Sequence, residues 1–197
     1  MNRIECAFYQ SSDVVSLSRK LLGAELHTNI NGQHTSGIIV ETEAYHESEK
    51  ACHAYRKRRT KRTEVLFHHG GLAYVYLCYG IHHLFNVTVG PEGEAAAILI
   101  RAIEPQTGID LMLVRRKLSN VSPRVGAGPG VASQALGIEV MHSGEDLNGE
   151  LVWLEHNENR VKEADIVSSP RIGVDYAEED AQLLWRFSVI NNKWVSK

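Results

Sequence analysis

The chain has 197 residues, 43% of them hydrophobic and 23% charged, with a formal net charge of −3; this is the profile of one globular domain with a full core, and it excludes disordered and fibrous classes. Three cysteines, Cys6, Cys52 and Cys78, form no CxxC pair, which argues against a disulfide framework or a zinc–thiolate site and for a reducing cytosol. The opening MNRIECAFYQ lacks an apolar signal core and no window reaches the ~18 apolar residues of a membrane span, so a cytoplasmic chain with no membrane partner is expected.

In chain order, SSDVVSLSRKLLG predicts a helix capped by Ser11 or Ser12, with Val14, Leu17 and Leu21 at helical spacing and Gly23 at its end. AELHTNINGQHTSGIIVETEAY reads as two strands joined at Asn31-Gly32, a hairpin signal. Within it, IIVETEAY raises a question. Alternation puts Ile39, Glu41, Glu43 and Tyr45 on one face and Ile38, Val40, Thr42 and Ala44 on the other. Two carboxylates then sit on one half-buried face, their backbones roughly 6.5–7 Å apart. Such a pair costs free energy unless something partners it or uses it. On the residues alone two readings stand open: the acids face solvent or pair with arginine, or one of them is a base in a partly dry site.

The stretch 47–71 is polar and irregular, long enough to be a functional loop. It carries RKRRTKR, Arg56 to Arg62, six cations in seven residues on a mildly acidic chain. This run is either a solvated loop or a contact for a phosphate backbone. His53, just before it, is either an ordinary loop histidine or a ligand contact. LAYVYLCYGIHHLFNVTVG predicts a second hairpin with its tip near Tyr79-Gly80. Tyr74 and Tyr76 share one strand face, as sheet packing or as a stacking surface. Tyr79 at an exposed tip beside Ile81 suits a wedge between base steps.

AAAILIRAIEP predicts a strand buried on both sides. TGIDLMLVRRKL and PGVASQALG predict helices, the second opened by GAGPG, Gly126 to Gly130. That glycine run is a phosphate contact or a tight turn; it lacks the GK[ST] ending of a P-loop. LVWLEH, PRIGV and LLWRFSVINNKWV predict late strands, the last broken at Asn191-Asn192. Ten histidines include the adjacent pairs His68-His69 and His82-His83, but neighbours on a strand point apart and no HExxH spacing occurs, so no metal is expected. Strands meeting at hairpins and outnumbering helices predict an α+β fold with an antiparallel sheet.

Taken in order, VETEAY, ACHA, RRTKR, LAYVYLCYG, FNV, LIRAIEP, GPG and ALGI resemble the 3-methyladenine (alkyladenine) DNA glycosylases, from about Leu21 to the C-terminal strand. The resemblance implies a single domain over residues 1–197, with a curved antiparallel sheet, a protruding hairpin and peripheral helices. It implies a monofunctional enzyme, without cofactor or metal, that removes alkylated or deaminated purines from double-stranded DNA. A monomer suffices for that task. The second acid of VETEAY, Glu43, matches the family's water-activating glutamate, which leaves Glu41 a structural part. Tyr45 and His53 match residues packing one side of a flipped base, and Tyr76 matches the one on the opposite side. Tyr79 matches the residue filling the gap in the duplex, with Ile81 beside it. Asn86 matches a pocket-floor residue that disfavours the amino group of guanine. Arg101 matches an arginine that helps hold the water. Arg58, Arg59, Thr60 and Arg62 of the basic loop are expected on DNA.

Three positions depart from the family pattern. Thr63 stands where asparagine is common, Val65 where methionine is, and Val131 where lysine usually follows GPG. Two other readings compete: a nucleic-acid-binding module on the same fold that does no chemistry, and a carbohydrate-directed hydrolase using Glu41 and Glu43 together.

Overall fold

A computed structural model describes residues 2–157 and 161–197. After a single helical turn, α1 (Cys6–Tyr9), comes α2 (Val14–Lys20). Its cap is Asp13, whose carboxylate accepts the Ser16 N–H at 2.9 Å, not the expected serines. Ser11 instead accepts the Asp13 N–H, so the carboxylate, a stronger acceptor, takes the helix end. Val14, Leu17 and Leu21 face the core as their spacing predicts.

Strands β1 (Glu25–Ile30) and β2 (Gln33–His46) meet at Asn31 and Gly32, both left-handed at φ 56° and 72°, the two-residue turn that the Asn-Gly pair favours. β3 (Ala73–Cys78) and β4 (His82–Val89) form the second hairpin, and β5 (Ala96–Thr107) is buried along Ala96–Ile103. The helices α3 (Ile109–Arg116) and α4 (Pro129–Leu136) follow, then β6 (Val152–Glu155), β7 (Ile166–Ser169) and β8 (Arg186–Val189). The predicted strand PRIGV is not one. β7 stops before Pro170, which cannot donate to a ladder, and Gly173 takes φ 75°, so residues 170–174 turn inward as irregular chain.

The fold is α+β. An open antiparallel sheet runs β3-β4-β5-β2-β1-β6, with β8 paired to β2 and β7 to β8. β2 organises it: its first half pairs β1, Glu41–Glu43 pair β8, and its other edge pairs β5 from Ser36 to His46. α2, α3 and α4 contribute to one apolar core with β1, β2, β4, β5 and β6. A smaller cluster of Cys52, Ala54, Leu66, Phe67, Tyr74, Ala95 and Ala97 lies under the 47–71 loop. The helix-free tip of the β3–β4 hairpin stands clear, with Tyr79 89% and Ile81 70% exposed. Among the described residues no helix is long and apolar enough to cross a membrane.

Candidate active site

The β2–β5 ladder slips twice at the site. Glu41 pairs Ala102, but Ile39 pairs Ile103 and Thr42 pairs Ile100, so Val40 is extra on β2 and Arg101 is extra on β5. Such bulges re-aim side chains. Ile39 and Val40 both join the main core, and alternation resumes with Glu41, Glu43 and Tyr45. Arg101 is turned onto both acids, its Nε 3.0 Å from Glu41 Oε1 and its Nη1 3.2 Å from Glu43 Oε2. Alternation puts the two carboxylates on one buried face, and the arginine that pairs both offsets their repulsion.

Their surroundings then diverge. Both glutamates are fully buried. Glu41 also accepts from Arg186 Nε at 2.6 Å, the Ser196 N–H at 2.7 Å and Ser196 Oγ at 2.9 Å. It ties β8 and the C-terminal segment to β2. Glu43 accepts the Tyr45 hydroxyl at 2.7 Å on Oε2 and the Ile172 N–H at 2.8 Å on Oε1. Tyr45, Arg101 and Ile172 all line one cavity of about 420 Å³, within the range of small-ligand pockets. Glu43 therefore lies directly behind the cavity wall through its partners, whereas Glu41's partners Arg186 and Ser196 do not line the cavity. Burial, and then the neighbouring Glu43 charge, push the Tyr45 phenol well above its ordinary pKa, so it stays a hydroxyl and a donor.

The cavity is aromatic. His53, Tyr74, Tyr76, Tyr79 and Tyr176 line it with Tyr45. His53 bonds the Tyr74 hydroxyl through Nδ1 at 2.8 Å. Burial, and then the Arg62 charge, lower its pKa to about 4, so at neutral pH it is an uncharged ring. Its ring meets Tyr76 edge to face, centroids 4.6 Å apart. The two aromatics that the resemblance puts on opposite sides of a base therefore touch, and a ring held between them needs that contact to open. Asn86 is 3% exposed and gives both amide hydrogens to backbone, to Tyr74 O at 3.0 Å and Leu84 O at 3.3 Å. What it can offer the cavity is its side-chain oxygen, an acceptor. Cys52 is also in the wall; burial pushes its thiol up to about 12, so it acts as an apolar lining group.

Residues 56–62 are all exposed. Arg59 lies over the Phe67 ring at 4.3 Å and pairs Glu64 at 3.1 Å, and Lys57 pairs Glu47. Arg58, Lys61 and Arg62 make no ion pair among the described residues. The Thr63 departure has a structural account: its buried hydroxyl accepts the Thr60 N–H at 2.8 Å and donates to Arg58 O at 3.0 Å, closing the basic loop on itself. Val65 packs on the small core beneath. In GAGPG, a Cβ at Gly126 would stand 2.3 Å from Ile103 O, so close packing on β5 requires that glycine; Pro129 borders the cavity. Nothing in the structure explains Val131.

The sequence reading missed Arg171, Ile172, Tyr176 and Arg186. A flag existed in Pro170 and Gly173, which mark a turn more strongly than Ile172 and Val174 mark a strand.

Set beside known proteins, the chain falls in the class of DNA glycosylases, hydrolases that act on N-glycosyl bonds in DNA. The family model described as Methylpurine-DNA glycosylase (MPG) matches residues 7–193, and the chain belongs to that family. It is 44% identical over 183 residues to a protein of Chlamydia felis, covering 92% of this chain and 93% of that one. It is 40% identical over 197 residues to one of Natranaerobius thermophilus, covering 98% of each. Both relatives carry the provisional name 3-methyladenine DNA glycosylase. The motif resemblance holds and extends ahead of Leu21.

Proposed function

We propose that the protein draws a damaged purine, alkylated or deaminated, out of duplex DNA into the aromatic cavity and cuts it from its sugar with a water activated by Glu43. One observation carries this reading: a fully buried carboxylate whose partners Tyr45, Arg101 and Ile172 are themselves the wall of an aromatic cavity. A base stacked in a duplex cannot be reached, and extrusion costs a few kcal/mol, least for a damaged base. Stacking on aromatic faces returns roughly 1–3 kcal/mol per base. The Tyr45 and Tyr76 rings and neutral His53 accept a cationic alkylpurine without charge repulsion. The exposure of Tyr79 and Ile81 at the hairpin tip supports their filling the vacated step, and the exposure of Arg58, Arg59, Thr60 and Arg62 supports contacts to the phosphates.

In the chemical step the water oxygen bonds C1′ as the C1′–N bond breaks. The base leaves with the bonding pair and the water proton passes to Glu43. Glu43 Oε1 accepts from one described donor, Ile172 N–H, and keeps a lone pair for that water. The carboxylate also offsets the positive charge that develops on the sugar. Arg101 keeps Glu43 paired and oriented. No step calls for a metal or cofactor, a monomer is sufficient, and the compartment is that of the genome, the cytoplasm of a bacterial cell.

The paired-carboxylate reading is disfavoured because Glu41 already accepts four hydrogen bonds. The test is single-turnover base release, in EDTA, from a duplex carrying hypoxanthine or 3-methyladenine. Release by the wild type and its near-total loss in Glu43→Gln, with duplex binding kept, is the expected result. Duplex binding with no release by the wild type would move the assignment to a binding module.

A further inference from the structure

Residues 170–174, misread as a strand, contain a side chain that the mechanism above does not use. Arg171 has a fully buried side chain. It holds Glu49 in a two-point pair, Nη1 to Oε1 and Nη2 to Oε2, both at 2.8 Å. Nη1 also donates to Ala44 O at 2.9 Å and Nη2 to Asp180 O at 3.1 Å. The guanidinium carbon lies 4.8 Å from the Tyr45 ring centroid and 5.4 Å from that of Trp185. The cation thus sits against two rings, one of them a wall of the cavity, while the next residue along, Ile172, gives its N–H to Glu43.

Packing alone does not account for such a group. Taking a guanidinium and a carboxylate out of water is costly, and well-packed apolar side chains of similar volume often serve stability as well or better. What an apolar residue cannot do is fix directions. Arg171 meets Glu43 by two routes. It lies behind the Tyr45 ring, whose hydroxyl donates to Glu43, and it anchors the backbone from which the Ile172 N–H reaches the same carboxylate. Glu49, its partner, accepts the Ala51 N–H at 2.8 Å, so the pair also sets the loop where Ala51, Cys52 and His53 line the cavity.

We infer that Arg171, held by Glu49, is a positioning residue for base release: it fixes the plane of Tyr45 so that the phenol donates to Glu43 and the carboxylate stays aimed at the attacking water. The cation behind the ring also makes the phenol a better donor. This inference rests on the Glu43 reading above. Misplacement of a reacting group by about 1 Å can cost on the order of 100-fold in rate. Lysine at this place keeps the charge but loses the planar fork and the stacked geometry.

The experiment is single-turnover release from a hypoxanthine duplex, enzyme in excess, for wild type, Arg171→Lys, Tyr45→Phe and the double variant, with duplex affinity measured alongside. Expected for Arg171→Lys is a rate constant lower by roughly 10-fold or more, with reaction amplitude kept and duplex affinity within about 3-fold. A purely structural role would lower the folded fraction, read by circular dichroism and urea unfolding, and leave the single-turnover rate constant at saturating enzyme alone. In the Tyr45→Phe background the cost of Arg171→Lys should shrink to about 3-fold, because residues acting through one another are not additive. Should Arg171→Lys fail to fold, Glu49→Gln carries the same comparison. A wild-type rate constant in these variants, or the same fold-loss in both backgrounds, overturns the inference while the glycosylase reading stands. No release by the wild type overturns both.

Discussion

The Tyr45 hydroxyl donates to Glu43 Oε2 across 2.7 Å, from two residues along the same face of β2. A strand's period of two makes this contact, and it defines how the carboxylate is held on the cavity side. Tyr45→Phe keeps the ring and removes only that donor. Hydrogen bonds to charged groups contribute about 1.5–3 kcal/mol. The single-turnover rate should fall by roughly 10- to 100-fold with duplex affinity little changed. An unchanged rate would mean the phenol contributes stacking alone.

The two acids of VETEAY should separate cleanly. Glu41→Gln leaves Arg101 and Arg186 without their shared carboxylate, and breaking a buried pair costs about 3–5 kcal/mol. Urea unfolding should show that loss, while the folded fraction still releases base. Glu43→Gln should do the reverse: a rate lost by orders of magnitude and a smaller stability cost. Equal loss of release in both would restore the paired-carboxylate mechanism.

What was legible in the sequence follows strand geometry. Glu43, Tyr45, Tyr74 and Tyr76 could be placed because alternation along β2 and β3 sends each to a definable face, whereas Asn86 came from the resemblance alone. The hairpin tips were legible from Asn31-Gly32 and Tyr79-Gly80. Arg101 was identified by resemblance, but its aim depends on a double register slip that no period-two pattern contains. Arg171 and Ile172 come from irregular chain, and their partners Glu49 and Glu43 lie 122 and 129 residues away. Only tertiary closure joins them. The helix cap went to Asp13 over its serine neighbours because local acceptor strength, not motif order, decides it.

His53 sets a pH dependence of stability. Its unfolded pKa is near 6.5, and burial, with Arg62 adding to it, lowers the folded value to about 4. A base whose folded pKa is depressed contributes fully above the unfolded pKa, and the contribution is lost as pH falls towards the folded one. Between pH 6.5 and 4 the unfolded chain takes up a proton that the native ring refuses. Stability should therefore drop across that window by up to roughly 3 kcal/mol. His53→Gln should flatten this part of the unfolding-versus-pH curve. An equally steep curve in the variant would assign the acid lability elsewhere.

Salt dependence should sort the basic loop. Arg58 and Arg62 are exposed and make no ion pair among the described residues, whereas Arg59 is held by Glu64 and Phe67. Each phosphate contact adds about 0.9 to the slope of log affinity against log salt. Arg58→Gln and Arg62→Gln should each lower that slope by about 1. Arg59→Gln should lower it less, because its charge is already engaged. A slope unmoved by all three changes would take the loop off the DNA.

Tyr79 sits at φ 51° and Gly80 at φ 73°, the left-handed region that Asn31 and Gly32 also occupy with residues suited to it. A bulky side chain in the left-handed region costs roughly 1–2 kcal/mol, and asparagine tolerates that region far better. The strain persists at a side chain that is 89% exposed and packs little in the free protein. Strain at an exposed aromatic is the kind of outlier that motivates a functional test. Tyr79→Asn should therefore leave the free protein as stable or more stable, by about 1 kcal/mol in denaturant unfolding. Duplex affinity should fall by roughly 10-fold as the stacking ring is lost. A variant both less stable and unimpaired on DNA would show that the ring supports the hairpin and does not enter the duplex.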